Sequence, residues 1–123
     1  MSNLKIIHTV LENRSHFFHL LEQNKGVIII KFGAEWCGPC KKCHDQVVNC
    51  MQTMPAGVEC YIIDVDENID VYAFLKSKKV VAGIPAILVY YAGSIAIAPT
   101  FTVTGADPVQ INRIFDKVYT DCK

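Results

Sequence analysis

A chain of 123 residues, 51% of them apolar and 20% charged, has the length of a single domain, taken here as residues 1–123, and enough apolar surface to fold without a staple. This composition excludes a disordered tail, a collagen-like repeat and a disulfide-bonded miniature. Twelve Lys and Arg offset twelve Asp and Glu, so the chain is formally neutral and lacks the basic excess of a nucleic-acid binder.

Leu4 to Val10 is an apolar strand candidate. The stretch before it has no long apolar core after a lysine, so no secretory signal is read and the expected compartment is the reducing cytoplasm. Asn13 to Glu22 carries Phe17, Phe18, Leu20 and Leu21 at helical spacing, and Asn24-Lys25-Gly26 ends it. Val27 to Ile30, with Phe32, is a short apolar run that predicts a strand covered on both faces. Helical spacing resumes from Gly38 to Met54 and stops at Pro55-Ala56-Gly57. Cys60 to Val65 predicts another strand, and Val71 to Leu75 a short helix. No Asp, Glu, Lys or Arg occurs between Lys79 and Asp107, which meets the crude criterion for a membrane-spanning helix. Gly83, Pro85, Gly93, Pro99 and Gly105 interrupt that run, and Ile87 to Tyr91 is strand-like. With Ala92-Gly93-Ser94 as a turn, it reads as a buried hairpin and no membrane partner is expected. Asp107 then caps a last helix with Pro108 at its first position and Val109, Ile111, Ile114, Phe115 and Val118 as its apolar face. The order β-α-β-α-β-α-β-β-α predicts an α/β fold of parallel strands joined by helical crossovers, with an antiparallel hairpin at one edge.

The chemistry is carried by Glu35-Trp36-Cys37-Gly38-Pro39-Cys40, directly after the most apolar strand and at the opening of a helix. Two cysteines at this spacing in this context read as a dithiol redox site. A helix N-terminus offers unpaired N–H groups and partial positive charge, so a Cys37 thiolate is favoured there and its pKa lowered from about 8.5. Cys40, one turn on and nearer the core, is placed as the resolving thiol. Other readings share these residues. Cys37, Cys40 and Cys43 could begin an iron–sulfur ligand set, but position 47 is Val and the usual fourth cysteine is missing. Zinc would need a second ligand pair, and none is convincing. Cys40-Lys41-Lys42-Cys43-His44 matches a covalent haem motif, which would consume Cys40 and go with export. Cys43, Val47, Cys50, Met51 and Met54 follow Cys40 at three- and four-residue steps, so Cys43 and Cys50 read as core residues. Cys60 opens a strand, and Cys122 reads as an exposed thiol near the terminus. His8, His16, His19 and His44 share no metal spacing.

Trp36-Cys37-Gly38-Pro39-Cys40 after an apolar strand, with Gly83-Ile84-Pro85 ahead of a hairpin strand, resembles the thioredoxin family over essentially the whole chain. The resemblance implies the thioredoxin fold, a central mixed β-sheet with helices on both faces. It also implies a cis Pro85 facing the cysteine pair, Ile84 offering its backbone to a substrate strand, and Gly105 lining the same groove. Departures from the family pattern are explicit. Lys31 stands where the family has a buried Asp, and Ile62 where it has the Lys that pairs with that Asp. Lys31 has two readings: its stem carries the charge out to solvent, or its amine acts on the cysteines. Gly33 replaces a second tryptophan, Asp45 a proline, and Ala86 a threonine. The segment from Gly93 to Gly105 is longer than in a bacterial member. Lys76, Lys78 and Lys79 read as a solvated helix end.

The resemblance thus implies a thioredoxin-type protein-disulfide reductase, in which Cys37 attacks and Cys40 resolves. Trp36, Gly38, Pro39 and Lys31 form the catalytic environment, and Ile84, Pro85 and Gly105 the substrate surface. The implied partners are disulfide-containing proteins and a thioredoxin reductase or other electron donor, serving electron transport and cell redox homeostasis. No metal or organic cofactor is implied, and the chain is taken as a monomer. The alternative is a redox-inert binding module, or accessory subunit of a larger complex, on the same fold.

Overall fold

The computed structural model describes residues 4–93 and 96–122. Its elements are β1 (Ile7–His8), α1 (Arg14–Gln23), β2 (Val27–Gly33), α2 (Gly38–Gln52), β3 (Val58–Asp64), α3 (Ile69–Ser77), β4 (Ala86–Tyr91), β5 (Phe101–Thr104) and α4 (Pro108–Cys122), in the predicted order. The strands form one sheet in the order β1-β3-β2-β4-β5. β3 pairs parallel with both β1 and β2, whereas β4 runs antiparallel to both β2 and β5.

β2 is central because both of its faces are apolar, and all seven of its residues are buried. Alternation along the strands sorts their side chains. Ile28, Ile30, Phe32, Tyr61, Ile63, Leu88 and Tyr90 join Phe17, Leu21, Val71 and Leu75 of α1 and α3 on one face. Val27, Ile29, Val58, Cys60, Ile87 and Val89 join Val47, Met51, Ile111, Phe115 and Val118 of α2 and α4 on the other. Lys31 and Gly33 continue the Val27–Ile29 alternation, so they lie beneath α2. Gly26 admits no side chain, since a Cβ there would run into the Gly57 carbonyl that accepts the Val27 N–H.

Four expectations need correction. The Leu4–Val10 strand contracts to Ile7–His8, because the Lys5 backbone pairs with the Gln52 side chain (2.7 and 3.0 Å) instead of a strand. Ala92 and Gly93, the latter at a φ of +87°, do form a turn, but β5 starts only at Phe101, so the β4–β5 connection runs from residue 92 to 100 and is longer than that turn. Tyr90 ties it down by donating its hydroxyl to the Ile97 carbonyl at 2.6 Å; Ser94 of the expected turn lies outside the described residues. Val109 is exposed, since it precedes the three- and four-residue steps that bury Ile111, Ile114, Phe115 and Val118. Cys122 is no exposed terminal thiol: α4 extends through it, and it packs half-buried against the core beneath α2 and α4. Among the described residues, no helix is long and apolar enough to cross a membrane.

Candidate active site

Pro39 in the first turn of α2 presets its φ, and Cys37 is the extended N-cap. The Cys40 N–H donates to Cys37 Sγ at 3.3 Å, so a sulfur stands where Ser or Asp ordinarily caps a helix. Cys37 and Cys40 are disulfide-bonded, with their Cα atoms 5.2 Å apart. Both are nearly closed off, Cys37 at 6% exposure and Cys40 at 3%, so the expected contrast between an outer and an inner cysteine is slight in this oxidised pair.

Trp36 is exposed, and its indole N–H donates to Asp66 Oδ2 at 2.7 Å. Asp66 is fixed in turn by its own N–H on Asp64 Oδ1 at 2.8 Å. Behind it, buried Asn68 accepts the Leu11 N–H at 2.9 Å and donates to the Asp64 carbonyl at 2.9 Å. A groove of about 490 Å³ runs from Trp36 past Val65, Ile69 and Tyr72 to Gly83 and Ile84. The Ile84–Pro85 peptide is cis, as the family pattern implies. Gly105, at a φ of +100° that disfavours any side chain, donates its N–H to the Pro85 carbonyl at 2.8 Å. The fold therefore brings Trp36 and Ile84 to one groove and locks Gly105 to Pro85. Gly38 and Pro39 lie exposed beside the pair. Asp66, Asn68 and Ile69 escape a reading of single motifs. Their signal is the Asp64-x-Asp66-x-Asn68 spacing after a strand, where short polar side chains bond nearby backbone.

Lys31 does not reach solvent. It is 3% exposed, and its ammonium donates to the Cys40 carbonyl at 3.4 Å. Burial pushes its pKa below the ordinary lysine value. Of the two readings of Lys31, the one that carries its charge out to solvent is overturned, since the amine is buried against the Cys40 carbonyl.

The other cysteines meet different surroundings. Cys43 is buried, with its thiol 3.6 Å from the Cys40 carbonyl. Cys50 is only half-buried, because it sits at the seam with α4, its thiol 3.7 Å from Asn112 Oδ1. Cys60 is fully buried, and burial pushes its thiol up to about 12. Burial also raises Cys50 and Cys122, with Asp116 and Asp121 adding to it.

The family model described as Thioredoxin matches residues 8–116. Thioredoxin-1 of Saccharomyces cerevisiae is 30% identical over 105 residues, covering 85% of this chain and 92% of that protein. The chloroplastic thioredoxin M3 of Oryza sativa is 28% identical over 95 residues, which are 76% of this chain; the match spans 50% of that longer protein. The crystal structure of Malassezia sympodialis thioredoxin superposes with a TM-score of 0.73 at 26% identity, covering 97% of this chain and 96% of that one.

Proposed function

The chain belongs to the thioredoxin family and is a thiol–disulfide oxidoreductase, and we propose that it reduces protein disulfides with Cys37 as the attacking thiol and Cys40 as the resolving one. The observation that carries these roles is the position of Cys37 Sγ as the N-cap acceptor of α2. A thiolate there receives a backbone N–H and the partial positive charge of the helix end. It attacks one sulfur of a substrate disulfide, expels the other, and forms a mixed disulfide. Cys40 then attacks Cys37 Sγ, which releases the reduced substrate and leaves the Cys37–Cys40 bridge.

Substrate docks in the groove between Trp36 and Ile84, with Pro85 and the Gly105 bonded to it following Ile84 in the substrate surface and Gly38 and Pro39 beside the sulfurs. Trp36 supplies a large apolar face, held in orientation by Asp66. Lys31 acts from below as a buried amine. Charged, it favours the thiolates; neutral, it can take the proton that Cys40 loses on attacking. Electrons come from a separate reductase. The chain works as a single-domain monomer in the cytoplasm, where thiols are kept reduced.

Insulin reduction with dithiothreitol as electron donor tests the reading. Precipitation of the insulin B chain should accelerate with the wild-type chain and return to the uncatalysed rate with Cys37→Ser. Wild-type turnover surviving in Cys37→Ser would falsify the assignment.

A further inference from the structure

Behind the disulfide, on the sheet face beneath α2, lies a second opening that the substrate groove does not use. A side chain at Gly33 would fill it: a Cβ built there falls 3.3 Å from Cys40 Sγ and 3.4 Å from Lys31 Nζ. With only hydrogen at that position, a solvent-connected cavity of about 460 Å³ remains. Cys40 is one of its walls and Cys37 is not, so a sulfur entering here meets Cys40.

The charge in this cavity is layered. At its floor is the Lys31 amine, 3% exposed, with the Cys40 carbonyl at 3.4 Å as its hydrogen-bond partner. Among the described residues no carboxylate lies within 4.0 Å of that nitrogen. Exposed Glu35, Asp45 and Glu67 and half-buried Asp64 line the mouth, against Lys41 and His44, so acidic groups outnumber basic ones there. The layering fits a small molecule with its negative end inward and its positive end outward.

We propose that this cavity binds low-molecular-weight aminothiols, which reduce the Cys37–Cys40 disulfide by attacking Cys40 from behind. The inference rests on the reading of this pair as a redox dithiol, and adds a second electron entry to it. The aminothiol's thiolate attacks Cys40 Sγ and forms a new S–S bond to it. The Cys37–Cys40 bond breaks, and its electron pair leaves on Cys37 Sγ, which is the better leaving group because the Cys40 N–H points at it. A second aminothiol thiolate attacks the small-molecule sulfur of the adduct and expels Cys40. Two aminothiols become one small disulfide, and the two protons they give up balance those taken up by the protein thiols.

The oxidised full chain is treated with cysteamine, 2-mercaptoethanol or 2-mercaptoethanesulfonate at equal thiolate concentration. Acid quenching, alkylation and mass counting give the rates, each normalised to the same thiol acting on hydroxyethyl disulfide. Cysteamine should lead and the sulfonate trail by at least about threefold, as the sign of one charge reverses at the acidic mouth. Gly33→Trp should abolish that order, and Ile62→Phe, which fills the cavity from β3, should do the same if the tryptophan variant fails to fold. In Cys37→Ser, Cys40 should take up cysteamine from cystamine, and Ile62→Phe on that background should slow the uptake. A sulfonate rate matching cysteamine, an order that survives Ile62→Phe, or a Cys40 inert to cystamine would overturn the inference. Wild-type insulin reduction is run alongside. If it persists, such a result overturns the aminothiol entry alone; if it is absent, the redox reading falls and this inference with it.

Discussion

Cys37 and Cys40 at the start of α2, Cys43 one turn further on and Cys60 in β3 are all buried cysteines, yet the backbone treats their sulfurs differently. Cys37 Sγ receives a free N–H at the helix start, 3.3 Å away. Cys43 lies where the N–H groups are already bonded within the helix, and its own thiol turns back to the Cys40 carbonyl. Cys60 lies mid-strand, walled by apolar side chains of the sheet and α2, which pushes its thiol up to about 12. Burial alone thus makes a thiol inert, and burial at a helix N-terminus makes it reactive. Residue type and exposure are alike in both regions; the orientation of nearby dipoles is not.

The comparison breaks if reactivity follows burial. Cys37→Ser should lower insulin reduction by at least about 10³-fold, as removal of a nucleophile does. Cys43→Ala and Cys60→Ala should keep turnover within about twofold while costing roughly 1–3 kcal/mol in urea denaturation, because each empties a packed site. In the reduced protein near neutral pH, iodoacetamide should label Cys37 first and Cys60 last, a sequence readable by timed mass mapping. Labelling of Cys60 ahead of Cys37 would remove the basis of the contrast.

The ionisable groups beneath α2 sharpen it further, because Lys31 and Cys60 shift in opposite senses. The folded-state pKa of Lys31 lies below 10.5, so between that value and 10.5 the unfolded chain binds more protons and stability rises with pH. Cys60 is raised from 9.0, so its contribution is whole below pH 9 and is lost as pH climbs toward about 12. Urea denaturation should therefore show Lys31→Met stabilising the fold at pH 7, by about 1 kcal/mol, with the gain shrinking toward pH 10.5. Cys60→Ala should flatten the alkaline loss. Lys31→Asp should also slow iodoacetamide labelling of Cys37 several-fold at pH 7, since a nearby carboxylate opposes thiolate formation. An unchanged rate would mean that Lys31 acts on the fold and not on the sulfurs.

The smallest effect is expected at Trp36. Asp66→Ala removes its exposed hydrogen-bond partner and should lower turnover less than about threefold, with stability within about 0.5 kcal/mol. A loss as deep as that of Cys37→Ser would shift weight from the helix terminus to the tryptophan.

The element order, the central position of β2 and the redox pair could be read from local pattern. Apolar period, capping residues and the Cys37-Gly38-Pro39-Cys40 spacing each act over a few neighbours, and each agrees with the others. The readings that needed correction depend on contacts distant in sequence. Whether Leu4–Val10 pairs along its whole length turns on Gln52, and the β4–β5 connection is held by a Tyr90 hydroxyl bond to Ile97. The Asp66 partner of Trp36 lies thirty residues away, on another loop.

Lys31 marks the division most clearly. From sequence alone its two fates, solvent and cysteine pair, were equally open, because a lysine stem can carry its charge either way. Alternation assigns it to the face beneath α2 once β2 is known to be central, and the helix above buries its amine beside Cys40 instead of letting it extend into solvent. What the sequence by itself determined is which segments become strands and helices and which two cysteines open a helix, since those follow from short-range sterics and periodicity. What the tertiary structure decided is what each side chain faces, including the cavity that Gly33 leaves against Cys40, since that depends on which distant element closes over it.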